Sequence, residues 1–196
     1  MRGVLFGAFS LFLCVSCSAD KLDYVPDVVP QEPSSVLNVH YGKHAVENGN
    51  QLTPTDVKDH PSVTWDAEKD TYYTLAMTDP DAPSRKDPKF REFLHWLVVN
   101  IPGNDIAKGE TLAEYVGSGP PRGTGLHRYV FLVFKQPGKL DFDEEPTSRT
   151  SRIGRPRFSI HKFVQKYNME EPAVGGNYYQ AQYDDYVPVI QRQLSG

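Results

Sequence analysis

Long apolar runs punctuated by proline and glycine set the element plan of this chain. Thr71 to Thr78 (Thr-Tyr-Tyr-Thr-Leu-Ala-Met-Thr) carries aromatic and β-favouring residues on both faces, the pattern of an interior strand. Phe93 to Ile101 and Tyr129 to Lys135 are similar runs, and Val36 to Tyr41 and Ser62 to Trp65 are shorter strand candidates. The period changes over Phe158 to Tyr167, where Phe158, Ile160, Phe163, Val164 and Tyr167 recur near helical spacing and predict an amphipathic helix. Val187 to Leu194, with Pro188 in its first turn, predicts a second short helix. Gln136 to Arg157 is charged, proline-bearing and turn-rich, which predicts a surface excursion. Asp20 to Ser35 holds Pro26, Pro30 and Pro33 and predicts an extended lead-in. Neither an internal repeat nor a low-complexity stretch divides the chain, so residues 20–196 form a single domain in this reading.

The first 19 residues follow a different pattern. Arg2 precedes the apolar run Val4 to Val15, and small residues around Ser16 to Ala19 offer cleavage positions before Asp20. This is the layout of a secretory signal peptide, too short for a bilayer-spanning helix of about 20 apolar residues. No later stretch is long and apolar enough to span, so the expectation is a secreted, extracellular protein without a transmembrane segment. Both cysteines, Cys14 and Cys17, fall inside the signal. The mature chain then has no disulfide, thiol nucleophile or thiolate metal site.

Composition adds two bounds. Eleven tyrosines and ten phenylalanines, with 15 glycines and 16 prolines, favour a turn-rich β fold. The net charge of −4, with no basic run interleaved with aromatics, argues against a nucleic-acid partner.

Chemistry concentrates in two segments, Thr78-Asp79-Pro80-Asp81-Ala82-Pro83-Ser84-Arg85 and Gly117-Ser118-Gly119-Pro120-Pro121-Arg122-Gly123-Thr124-Gly125-Leu126-His127-Arg128-Tyr129. Pro80 and Pro83 stiffen the first, and the glycines of the second let backbone amides approach a ligand. Such loops build a small anion site. Two residues apart, Asp79 and Asp81 would share one face of a regular strand and repel, unless a cation or donor such as His95 or His127 lies between them. Asp81 reads equally well as a turn residue. Two His and two Asp could also hold a metal ion, though from four separate positions and with no His-x-His or His-x-x-x-His pair. Ser118 lacks the Gly-x-Ser-x-Gly elbow, and Gly117 to Thr124 lacks a phosphate-loop ending. His40, His44, His60 and His161 read as surface or packing residues, and Arg85, Lys86, Lys89 and Arg91 as a solvated basic loop.

Together these two segments resemble the phosphatidylethanolamine-binding protein family. The likeness extends from Leu52-Thr53-Pro54-Thr55 through Trp65-Asp66 to Tyr179-Gln180-Ala181 and Asp184-Asp185-Tyr186-Val187-Pro188. It implies a mainly β fold, a large antiparallel sheet packed on a smaller one with a few C-terminal helices. It also implies a non-catalytic anion pocket, without cofactor or metal, formed by Asp79, Asp81, Pro83, Phe93, His95, Gly119, Pro120, His127 and Tyr129. The implied ligand is a phospholipid head group such as phosphoethanolamine, or another small anion, bound by a monomer. An alternative is an inhibitor of a protein partner such as a serine protease or kinase. Phe93 stands where mammalian members carry tryptophan, Gln191 replaces a tyrosine at the pocket mouth, and residues 139–157 diverge most.

Overall fold

The computed structural model describes residues 22–196; the expected signal segment lies outside them. Five antiparallel strands form the large sheet in the order β6-β5-β4-β7-β8. They are β4 (Tyr72–Asp79), β5 (Phe93–Pro102), β6 (Glu110–Ala113), β7 (His127–Lys135) and β8 (Gly175–Ala181). A smaller sheet, ordered β2-β1-β3, comprises β1 (Asn38–Tyr41), β2 (His44–Ala45) and β3 (Ser62–Thr64). Helices α1 (Ile160–Lys166) and α2 (Val187–Gln193) follow late in the chain. The architecture is the expected one, a large sheet on a smaller one with C-terminal helices.

The double-faced apolar runs become the central strands because both of their faces are covered. Leu75, Met77, Phe131 and Val133 point towards the small sheet, where they meet Val39, Val63 and Trp65. On the other face Ala76, Val130, Leu132 and Phe134 pack under α1 and against Tyr24, Val25, Val28 and Val29 of the lead-in. The lead-in is therefore part of the core. Its approach also explains β8, which the hydrophobic pattern did not reveal. A Cβ at Gly175 would stand 2.5 Å from Leu37, and one at Gly176 would stand 2.5 Å from Pro33 and Tyr24. Glycine is needed there for close approach, and it erases the strand signal.

One boundary shifts for a local reason. Phe158 stays extended because its amide donates to the Glu92 carbonyl at 3.0 Å and its carbonyl accepts from the Glu92 amide at 2.9 Å. The helix begins only after Ser159, whose hydroxyl caps the Lys162 amide. The Gln136–Arg157 excursion has no regular strand or helix of its own, but it is anchored by Arg155. That buried guanidinium donates to the carbonyls of Leu94, His95, Glu114, Ser148 and Ser151.

Candidate functional site

β4 ends at Asp79, and β7 begins beside it at His127. Side chains alternate along a strand, so His127 and Tyr129 face one side while Arg128 faces the other. β5 supplies the third wall. Its register against β4 slips where Met77 pairs with Trp96 and Thr78 with Leu94, leaving His95 as the extra residue of a bulge. The bulge puts Phe93 and His95 on the same side as the later Trp96 and Val98, which regular alternation forbids. The roof is α2: Ile190 and Leu194 pack with Ala82, Phe93 and Val116. A Cβ on Gly119 would lie 3.1 Å from Ile190, so this glycine lets the helix settle over the site.

These elements enclose a cavity of about 70 Å³. Asp79, Pro83, Phe93, His95, Gly119, His127 and Tyr129, seven of the residues expected at the site, line it. Asp81 and Pro120 do not. The strand ends before Asp81, which turns to the opposite face and is held by Arg128. The Arg128 amide donates to one carboxylate oxygen at 2.9 Å, and its guanidinium donates to both at 2.8 and 2.6 Å. The two aspartates therefore do not share a face, and the cation beside Asp81 is an arginine. Burial alone would raise the Asp81 carboxyl, but the Arg128 hydrogen bonds and charge hold it below its usual value. Pro121 takes the lining position expected for Pro120.

Within the cavity the polar groups are ordered. Asp79 accepts the Asp81 amide at 2.7 Å on one oxygen and His127 Nδ1 at 2.9 Å on the other. His127 Nε2 is 2.9 Å from the Thr124 hydroxyl. His95 Nδ1 lies 2.8 Å from the Val116 carbonyl. A carbonyl only accepts, so Nδ1 carries the proton. Burial pushes the His95 imidazole down to about 4, against the opposing pull of Asp79 and the Val116 bond. It is neutral at pH 7. Its ring stacks edge-on to Tyr129 and tilts against Phe93. The buried Tyr129 hydroxyl makes no hydrogen bond among the described residues. Burial and the Asp79 charge keep it protonated, well above its usual pKa, against weaker pulls from Ser118 and the Gly119 amide.

Sequence reasoning missed Phe90, Arg152, Ile190 and Leu194. Arg152 comes from the divergent excursion and sits over Phe93, 5.7 Å from the ring centroid. No spacing rule relates it to the two motifs; only the fold does. Gln191, noted as a substitution, lines the mouth. In the basic loop Arg85 pairs with Asp23 and Arg91 with Asp27, while Lys86 and Lys89 are exposed to solvent as expected.

A wider groove of about 790 Å³ lies between the small sheet and β5–β6, with His60, Trp96 and Tyr115 packed together on its wall. It is open to solvent, and the Tyr115 hydroxyl is already bonded to Tyr41 and the Val57 carbonyl. None of the buried unpartnered side-chain groups lines it. The unpartnered Tyr129 hydroxyl belongs instead to the smaller cavity. Among the described residues no group of three His, Cys, Asp or Glu side chains could hold a metal ion.

Two packed sheets with a small cavity at the ends of the central strands, apolar in most of its lining and roofed by a C-terminal helix, define a class of binding protein. The chain belongs to the phosphatidylethanolamine-binding protein family, whose model matches residues 42–179. It is 39% identical to a Drosophila melanogaster protein named "Putative odorant-binding protein A5", over 94% of this chain and 93% of that one. It is 48% identical to the protein of the CG7054 solution structure, with a TM-score of 0.73, covering 89% of this chain and 99% of the other. It is also similar to the carboxypeptidase Y inhibitor crystallised with its cognate proteinase: 30% identity, TM-score 0.65, 78% of this chain and 85% of that one.

Proposed function

We propose that this chain is a secreted, non-catalytic binding protein whose cavity takes the phosphoryl group of a small phosphorylated ligand, such as phosphoethanolamine or a phospholipid head group. The observation that carries this reading is the orphaned Tyr129 hydroxyl, buried and facing a cavity of about 70 Å³ on which Asp79, His95 and His127 converge. A buried hydroxyl without a partner costs stability, and a ligand oxygen would supply the missing acceptor. Gly119 lines the same cavity. So small a cavity holds a head group and leaves any acyl chain outside. The apolar Val4 to Val15 run supports secretion, as does the likeness to a protein named for odorant binding.

Calorimetric titration with phosphoethanolamine, and with inorganic phosphate beside it, tests the reading. Removing His127 leaves the Asp79 carboxylate without its ring partner and exposes an anion to its repulsion. We expect saturable binding that weakens at least tenfold in His127→Ala while the circular dichroism spectrum is retained. Unchanged affinity in that variant would show the site to be elsewhere. The carboxypeptidase Y inhibitor's likeness favours a second reading, a partner-inhibiting surface, and absence of any anion binding would turn the work towards secreted proteases.

A further inference from the structure

The cavity meets an anion with an unusual set of polar groups. His95 Nδ1 is committed to the Val116 carbonyl at 2.8 Å, and the other nitrogen, Nε2, has no partner among the described residues. With Nδ1 protonated and the ring neutral, Nε2 is a lone pair: it accepts a hydrogen bond and cannot donate one. The groups around the ring preserve that state. His127 and Tyr129 face it from β7, Asp79 from β4 and Arg155 from the excursion. Asp79 and the Val116 bond favour protonation, but burial, with Arg155 and His127 acting in the same direction, outweighs them. Asp79, which also lines the cavity, is an acceptor alone when ionised. Two acceptors, His95 Nε2 and Asp79, thus line the cavity together with one hydroxyl donor, that of Tyr129. The guanidinium of Arg152, without an ion-pair partner among the described residues, sits over Phe93 at the mouth.

A fully deprotonated oxyanion cannot satisfy this array, since its oxygens would face a lone pair and a carboxylate. We infer that the pocket selects phosphoryl ligands that bring a hydrogen-bond donor of their own to His95 Nε2 and Asp79. Two sources fit: the P–OH of a monoprotonated phosphomonoester, or the ammonium of an ethanolamine diester. The inference rests on the anion-pocket reading and adds a rule for which anions enter. A site built to receive a proton rejects an isostere that lacks one, because a buried acceptor is then left unpaired.

Methyl phosphate and methyl sulfate isolate the proton. At about pH 5 both are monoanions of nearly the same shape, and only the phosphate keeps an acidic hydrogen, its second pKa being about 6. Calorimetry on the unmodified protein should give methyl phosphate an affinity higher by 10- to 100-fold, in order of magnitude. Methyl phosphate affinity should then fall as the pH rises through about 6 to 8, as the ligand loses its proton. Glycerophosphoethanolamine and glycerophosphocholine separate the two sources, since only the first has N–H groups. Tighter binding of the ethanolamine form makes the ammonium a second donor, and equally weak binding of both confines the role to P–OH. Equal affinities for methyl phosphate and methyl sulfate would overturn the inference and leave the anion pocket standing. Binding of neither would overturn both.

Discussion

Replacing Asp81 with alanine separates a structural role from a ligand-binding one. Asp81 is fully buried and Arg128 is 1% exposed, so neither charge is relieved by water once the other is removed. Asp81→Ala deletes three hydrogen bonds at 2.6, 2.8 and 2.9 Å, one of them from the Arg128 backbone amide. Losing one partner of a buried ion pair costs about 3–5 kcal/mol. Arg128 still reaches Asp27 at 2.9 Å, which holds the expected cost near the lower bound, about 3 kcal/mol. For a chain of this size that corresponds to a fall in Tm of roughly 10 °C. Urea unfolding monitored by tryptophan fluorescence would measure it. Phosphoethanolamine affinity, taken well below the new transition, should stay within about twofold because Asp81 does not line the cavity. A variant as stable as the parent that has lost anion binding would refute the reasoning and return Asp81 to the site. The pair also has a pH signature. The folded Asp81 carboxyl titrates below its unfolded value of about 3.9, so its contribution is complete above that pH and is lost as pH falls through the folded pKa.

Two further expectations concern the excursion and a second buried acid. Arg155→Met removes the donors that tie residues 148–151 to β5, and limited proteolysis should cut within 148–154 much faster than in the parent, with global stability lower by roughly 3 kcal/mol; an unchanged cleavage rate would contradict the anchoring role. Glu92 is raised to about 7 from its usual 4.5, chiefly by burial, and one of its carboxylate oxygens has no hydrogen-bond partner among the described residues. The folded state holds that proton more tightly than the unfolded chain, so stability should fall as pH rises from about 4.5 to about 7, by up to about 3 kcal/mol. Glu92→Gln should remove this slope in urea titrations at several pH values, and a slope that persists would assign it to another group.

How much of this was legible in the sequence depended on whether a signal was local. β4, β5, β7 and both helices announce themselves because their burial is written in apolar periodicity. β8 does not, since Gly175 and Gly176 serve contacts with Leu37, Pro33 and Tyr24, which only the tertiary fold brings near. The site divides in the same way. Asp79, His127 and Tyr129 lie at or beside strand ends within the two motifs, whereas His95 belongs to neither and entered only through the family resemblance. The placing of Asp81 could not be anticipated, because it depends on where β4 stops and on Arg128 being available across the sheet. Arg152 and α2's Ile190 and Leu194 reach the cavity from remote segments with no motif of their own. Even the state of His95 is invisible in sequence, since its neutrality follows from burial and its tautomer from one carbonyl, that of Val116, lying behind the ring.

The central claim, that the small cavity under α2 is where a phosphoryl group binds, is tested most directly by mapping the site by NMR. Backbone amide shifts would be followed as phosphoethanolamine is added to the protein. The account predicts saturable changes concentrated at Gly119, His127, Tyr129 and the β5 residues Phe93 and His95, with the groove around Lys58, His60 and Trp96 unmoved. Changes confined to that groove, or none at a ligand excess that saturates other anion sites, would contradict it.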